Sequence, residues 1–241
     1  GEMAAPSILA YGTEEQKLHH LPDLSTGKTI VAYALNEGEQ GAVLLWPGTI
    51  LKTTARVKTD EHGEEYYELN GDKEFITNTG FADLFVVFAM VEDPTDPNPE
   101  THFKKSVLLV ERNQPGVTVG REWEKSGLGG SSTANTHFEN VKVPKANLLG
   151  NLGDAQAIGT SIVNHMRATV AAGSLGVTRR LLEDTLHYTA IARQQAGQPV
   201  AALSPVKETL AKLEASHYVL EALVYNLSGL FDGGVLAPSL V

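Results

Sequence analysis

Cysteine is absent from the 241-residue sequence. That excludes a disulfide framework, a thiolate metal site and a thiol nucleophile. No apolar run reaches the roughly 18 residues that a membrane helix needs. The opening residues lack the basic segment and apolar core of a secretory signal, so none is expected. Basic residues are in deficit: 19 Lys and Arg stand against 29 Asp and Glu, a net charge of −10. Proteins that grip nucleic-acid phosphates normally carry a basic face, so nucleic acid is set aside as a partner. No metal site is assigned. What remains is 42% hydrophobic and 20% charged, the composition of a globular chain. Its length suits one large domain or two ordinary ones with a substantial core.

The hydrophobic period changes twice along the chain. Residues 1–30 are read as the end of a helical domain. Thr13 caps a helix with Glu14 and Glu15 in its first turn; the helix is expected to run to about His20 and to stop at Pro22. Residues 31–145 are read as a middle β domain. Strand-like runs are Val31–Leu35, Tyr66–Leu69, Leu84–Met90, Val107–Val110, Val117–Val119 and Thr136–Val143, with Gly, Pro, Asn and Asp clusters between them. The acidic, proline-rich stretch 91–105 reads as a solvated hairpin loop. Residues 146–241 are read as the first helices of a bundle. Ile158, Ile162, Met166, Val170, Val177 and Leu181 form one stripe. A second helix starts at Ser204-Pro205, with Val206, Leu210, Leu213, His217, Leu220, Val224, Leu227 and Phe231 on its stripe. His217 on such a stripe is read as a core residue. The fold class is α+β: an antiparallel barrel or sandwich flanked by helical segments, with long antiparallel bundle helices after it.

One stretch carries the densest chemistry. Asn70-Gly71 between apolar alternations reads as a tight hairpin turn. After it, Phe75, Ile76, Thr77 and Asn78 offer an aromatic face, an aliphatic group, a hydroxyl and an amide in succession. That set suits the polar edge of a flat ring system, which needs van der Waals area and directed hydrogen bonds.

Several strings, in order, resemble the acyl-CoA dehydrogenase family of flavoproteins. Tyr11-Gly12-Thr13-Glu14-Glu15-Gln16-Lys17 is similar to the end of that family's N-terminal helical domain. Ala34-Leu35-Asn36-Glu37 resembles its Ala-Leu-Thr-Glu strand, and Leu69 to Asn78 resembles its Leu-Asn-Gly-x-Lys-x-Trp-Ile-Thr-Asn stretch. Gly127 to Thr133 with Phe138 to Pro144 is similar to the end of its β domain. Arg167 with Ala171, Ala172, Gly173 and Gly176 resembles the start of its C-terminal bundle.

The resemblance implies FAD as cofactor and α,β-dehydrogenation of an acyl-CoA thioester, of the fatty-acid β-oxidation type. Tyr33, Leu35 and Asn36 would contact the flavin ring from one strand, and Phe75, Ile76 and Thr77 from another. Arg193 looks like the arginine that reaches the flavin pyrophosphate of a neighbouring subunit. Substrate contact would fall to the loop around Ala42, which stands where the family has serine, and to Arg167. Electron-transfer flavoprotein is the implied acceptor. A dimer or tetramer is expected, in the mitochondrial matrix or the bacterial cytoplasm. The family's flavin-contacting Thr is Asn36 here and its Trp is Phe75. No catalytic residue is assigned. The glutamate base of most members sits on a helix beyond Val241, and the alternative site, Asn164-His165-Met166-Arg167, offers no carboxylate. The competing readings are a non-catalytic scaffold or assembly relative, and a related acyl-CoA oxidase or flavin monooxygenase.

Overall fold

The computed structural model describes residues 3–38 and 49–233. They divide into two compact units, 1–162 and 163–241. No described helix is long and apolar enough to cross a membrane.

The first unit opens with helices α1 (Ala4–Tyr11) and α2 (Glu14–Thr26). Thr13 and Gln16 form a reciprocal capping box at the start of α2: the Thr13 hydroxyl accepts from the Gln16 amide, and the Gln16 side chain accepts from the Thr13 amide. Pro22 does not stop α2, contrary to the sequence reading. The helix runs past it and ends at Gly27, whose left-handed φ of 73° closes the last turn. The Gln16 amide nitrogen reaches across the fold to the carbonyls of Ala146 (2.8 Å) and Leu148 (2.9 Å).

Among the described residues eight strands follow in one sheet: β1 (Val31–Ala34), β2 (Thr54–Thr59), β3 (Glu65–Thr77), β4 (Leu84–Glu92), β5 (Phe103–Glu111), β6 (Val117–Val119), β7 (Thr133–Pro144) and β8 (Leu148–Leu149). The order is β6-β7-β3-β2-β4-β5-β8, with β1 on β4. The fold is α+β. Most pairings are antiparallel, but β1 and β2 both run parallel to β4. The sheet does not close into a barrel, yet it curls. Phe85 on β4 meets Phe138 on β7 edge-to-face at 6.3 Å, although two strands separate them in the order.

β4 is buried on both faces and divides the core. Phe85, Val87, Ala89 and Val91 join a cluster built almost wholly of strand side chains, with Leu69, Ile76, Phe138 and Val141. Leu84, Val86 and Phe88 join the opposite cluster, with Ile8 of α1, Leu51 and the helical residues Ile158 and Ile162. Burying such side chains stabilises by about 1.5–3 kcal/mol each.

Asn70-Gly71 does not turn the chain; β3 runs straight through it. The pair is a bulge, where the register with β7 shifts between Leu69 and Gly71. A second shift lies between Lys73 and Ile76. The glycine answers a close approach rather than a hairpin: a Cβ there would stand 2.6 Å from the Thr53 Cα.

The second unit is a helical hairpin. α3 (Ala155–His187) begins in the first unit and continues into the second; a π-turn at Tyr188–Ala192, the ribbon β9 (Gln194–Gln195) and β10 (Gln198–Pro199), and α4 (Ser204–Asp232) complete it. His165 meets Phe231 at 6.0 Å and Thr178 meets His217 at 3.4 Å, so the helices run antiparallel. On α4 the stripe is as read: Val206, Leu210, His217, Leu220, Val224, Leu227 and Phe231 are its covered positions, Leu213 alone being exposed. On α3 the stripe drifts. Val170, Val177 and Leu181 face solvent, and Leu175, Thr178 and Leu182 take the packed face.

Candidate functional site

The chain leaves β1 at Ala34 and continues extended through Leu35, Asn36 and Glu37 alongside the second half of β3. The Glu74 amide donates to the Asn36 carbonyl at 2.9 Å. That contact sets Asn36 against the stretch of β3 that carries Phe75 and Thr77, whereas Tyr33 and Leu35 pack in the cluster shared with the helices and Ile76 in the strand-lined cluster opposite.

Beneath them lies an ion pair that the sequence reading missed. The Lys73 ammonium is wholly buried and donates to Glu37 Oε1 at 2.7 Å and to the Leu35 carbonyl at 3.1 Å. The Glu37 carboxylate also accepts the amides of Lys52 (2.6 Å) and Thr53 (3.0 Å). Burial lowers the Lys73 ammonium to about 8, against the pull of Glu37. Burial works to raise the Glu37 carboxyl; the Lys73 charge and hydrogen bond, with the Thr53 and Lys52 donors, outweigh it and hold the group below its usual range. The sequence carried half of the signal, a lysine at an inward position of β3, but nothing local that joins it to Glu37.

Phe75 has φ 56° and its side chain is half exposed. A non-glycine residue in that region costs about 1–2 kcal/mol, so its surroundings must hold it there. They do so through Asn135, whose Oδ1 accepts both the Phe75 amide (3.3 Å) and the Trp123 indole N–H (2.8 Å). The Phe75 and Trp123 rings lie 4.8 Å apart, tilted by 35°. Trp123 thus belongs to the edge, though no motif pointed to it. Its loop is fixed by Glu122, which accepts the Ser132 hydroxyl (2.5 Å) and the Thr133 amide (2.7 Å), and by the Lys125 ammonium on the Ser131 carbonyl and the Thr133 hydroxyl.

Ile76 is buried in the strand-lined core. Thr77 is exposed, and its hydroxyl bonds nothing among the described residues. The Asn36 side-chain amide is likewise uncommitted. Tyr33 packs on Phe88 at 5.0 Å, and its hydroxyl is buried without a partner among the described residues. Burial first, then Tyr11, raises that hydroxyl above the usual tyrosine range, so it stays a neutral donor. Asn78 serves the turn: φ 71°, with its side chain on the Val31 carbonyl at 3.3 Å. The Tyr33 hydroxyl thus lies apart, in the cluster with Phe88, while Thr77 on β3 and Asn36 on the segment after β1 carry a hydroxyl and an amide with no internal obligation among the described residues, together with the exposed Phe75–Trp123 pair. That donor set fits the polar rim and flat face of an isoalloxazine.

Arg167 and Arg193 belong to the second unit. Arg167 donates to Asn164 Oδ1 at 2.9 Å. Arg193 is exposed at the start of the β9–β10 ribbon, its backbone held by Tyr188 and Val200. Ala42 lies outside the described residues. Among the described residues no cluster of His, Asp or Glu is arranged to hold a metal.

Two family models match: acyl-CoA dehydrogenase, middle domain, over residues 33–141, and acyl-CoA dehydrogenase, C-terminal domain, over residues 155–239. A probable acyl-CoA dehydrogenase of Bacillus subtilis (strain 168) is 38% identical over 225 residues, covering 93% of this chain and 35% of that protein. An acyl-CoA dehydrogenase of the same organism is 38% identical over 228 residues, covering 95% of this chain and 56% of that protein. The crystal structure of an acyl-CoA dehydrogenase complexed with FAD from Bacillus anthracis superposes with a TM-score of 0.85 at 36% identity, covering 98% of this chain and 38% of that one. The chain spans about a third to about half the length of these relatives.

Proposed function

Because this chain belongs to the acyl-CoA dehydrogenase family, we propose that it forms the flavin-holding part of an FAD-dependent enzyme that oxidises acyl-CoA thioesters. The observation that carries this reading is the pair of uncommitted polar groups where the segment after β1 meets β3, the Asn36 amide and the Thr77 hydroxyl, together with the exposed Phe75–Trp123 ring pair. FAD, when bound, supplies the acceptor for the hydride that leaves the substrate β-carbon. Thr77 and Asn36 would hydrogen-bond the ring's polar rim. Phe75, backed by Trp123, would cover its face and keep water from it. Ile76, buried below, fixes the height of that floor.

Oxidation also needs a base for the α-proton, because neither C–H bond breaks readily alone. Asn164-His165-Met166-Arg167 carries no carboxylate, so we assign none of the described carboxylates that role. Arg193 is proposed to reach the flavin pyrophosphate of a neighbouring copy, where its fork pairs two oxygens. Arg167 and the loop at Ala42 are proposed to touch substrate. The likeness supports acyl-CoA as substrate, electron-transfer flavoprotein as acceptor, and β-oxidation in the mitochondrial matrix or bacterial cytoplasm as setting.

The test is FAD titration followed by visible absorbance, then anaerobic mixing with acyl-CoA thioesters of graded length. The 241-residue chain is expected to bind FAD and to leave it oxidised. Failure to bind FAD would favour the scaffold reading; rapid bleaching would show that a base had been overlooked.

A further inference from the structure

We infer that the buried Lys73–Glu37 pair is a positioning device for the flavin-facing edge, an inference that rests on the flavin reading above. Ion pairs removed from water are poor stabilisers, since desolvation offsets their attraction, and apolar residues of similar size often serve stability as well. This pair does something an apolar pair cannot: it replaces a missing strand ladder. β1 pairs with β4 only through Ala34. Residues 35–37, which bear the Asn36 side chain, continue beyond that ladder. The Lys73 ammonium takes the Leu35 carbonyl (3.1 Å), and the neighbouring Glu74 amide takes the Asn36 carbonyl (2.9 Å). Two successive peptide groups of one segment are thus clamped by two successive residues of β3. Glu37 closes the arrangement by binding Lys73 and gathering the Lys52 and Thr53 amides, so three segments meet on one carboxylate.

The placement within β3 matters as much. Lys73 sits between the two register shifts, two residues before Phe75 with its positive φ. After Lys73 the β7 ladder is interrupted, resuming only at Ile76 and Thr77, and cannot by itself fix where Phe75 stands. A side chain anchored at its far end on another segment supplies that constraint. The geometry makes Lys73 and Glu37 positioning residues: they act through Leu35, Asn36 and Phe75.

The test compares wild type with the double variant Lys73→Met/Glu37→Gln, which removes both charges and keeps both side-chain sizes. The readouts are FAD affinity, the shape of the bound flavin's visible spectrum, and thermal unfolding. Unfolding should move little, while FAD affinity falls by about tenfold or more and the bound spectrum loses its fine structure toward that of free flavin. Affinity within about twofold of wild type with an unchanged spectrum would overturn the inference. A wild type that binds no FAD would instead overturn the functional reading. Should the variant fail to fold, hydrogen exchange on the wild type decides. FAD binding should slow the Lys52 and Thr53 amides, which donate to Glu37; no change at either would refute the coupling.

Discussion

Replacing Gly71 with alanine tests the reading of the bulge. Gly71 has φ 144°, and a Cβ there would lie 2.6 Å from Thr53 Cα, 2.6 Å from Thr53 Oγ1 and 2.8 Å from Thr53 Cβ. Two costs follow. An L-residue in that backbone region is strained by about 1–3 kcal/mol. Forcing a methyl against a packed neighbour adds about 1–3 kcal/mol, because one of the contacting atoms is backbone and cannot rotate away. Gly71→Ala should therefore destabilise by about 2–6 kcal/mol. Urea unfolding followed by tryptophan fluorescence is the assay. Trp123, in the loop between β6 and β7 of the first unit, reports the unit that holds the bulge. With a slope of about 2 kcal/mol per molar urea, the midpoint should drop by about 1–3 M. Adding Thr53→Gly removes two of the three crowding atoms and should restore about 1 kcal/mol through coupling between neighbours. A midpoint within about 0.2 M of wild type would refute the close-approach account and return Asn70-Gly71 to an ordinary strand position.

Three further outcomes are expected. Lys73 has a folded-state value of about 8 against 10.5 unfolded, so the unfolded chain holds more protons between those values and this group's term should make stability rise with pH from about 8 to about 10.5; Lys73→Met should flatten that segment of the urea-midpoint profile. Asp96, in the β4–β5 loop, is drawn down to about 2, first by the Lys104 ammonium and then by the Asn98 amide and Thr101 hydroxyl; its contribution is present above about 3.8 and fades as pH falls through about 2, and Lys104→Met should raise its NMR-titrated midpoint. The helical hairpin leaves Val177, Leu181, Val219 and Leu223 open to solvent, so the chain should self-associate in light scattering at micromolar concentration, and Val219→Glu with Leu223→Lys should shift it toward monomer.

The helices and most strands were legible because their apolar periods are strong. The α4 stripe from Val206 to Phe231 is the clearest case, since each covered position follows from a 4-3 spacing that only a helix satisfies. Three misreadings share a cause: local propensity yielding to tertiary contact. Pro22 lacks one donor but sits in a helix capped at both ends. Asn70-Gly71 has turn chemistry, yet the pairing of β3 with both β2 and β7 keeps it straight. The α3 stripe was extrapolated past Met166, and the packed face drifts to Leu175 and Leu182, positions set by the facing helix. The candidate edge was legible as a string of residue types. The pair beneath it, Lys73 with Glu37, was not, because 36 residues separate them and no local pattern joins them. Trp123 was hidden for the same reason; its link to Phe75 passes through Asn135.

Gln16 has a temporal consequence. Its side-chain oxygen completes a local cap that forms as soon as residues 13–16 exist, whereas its nitrogen waits for carbonyls 130 and 132 residues further on. At roughly 5–20 residues per second of synthesis, that gap lasts on the order of ten seconds. For that interval α2 has a nucleated first turn and nothing to dock on, so the same residue guards the helix early and latches it late. Glu in its place would keep the cap and lose the latch, leaving the helix formed on the nascent chain but slow to seat when the sheet is finished.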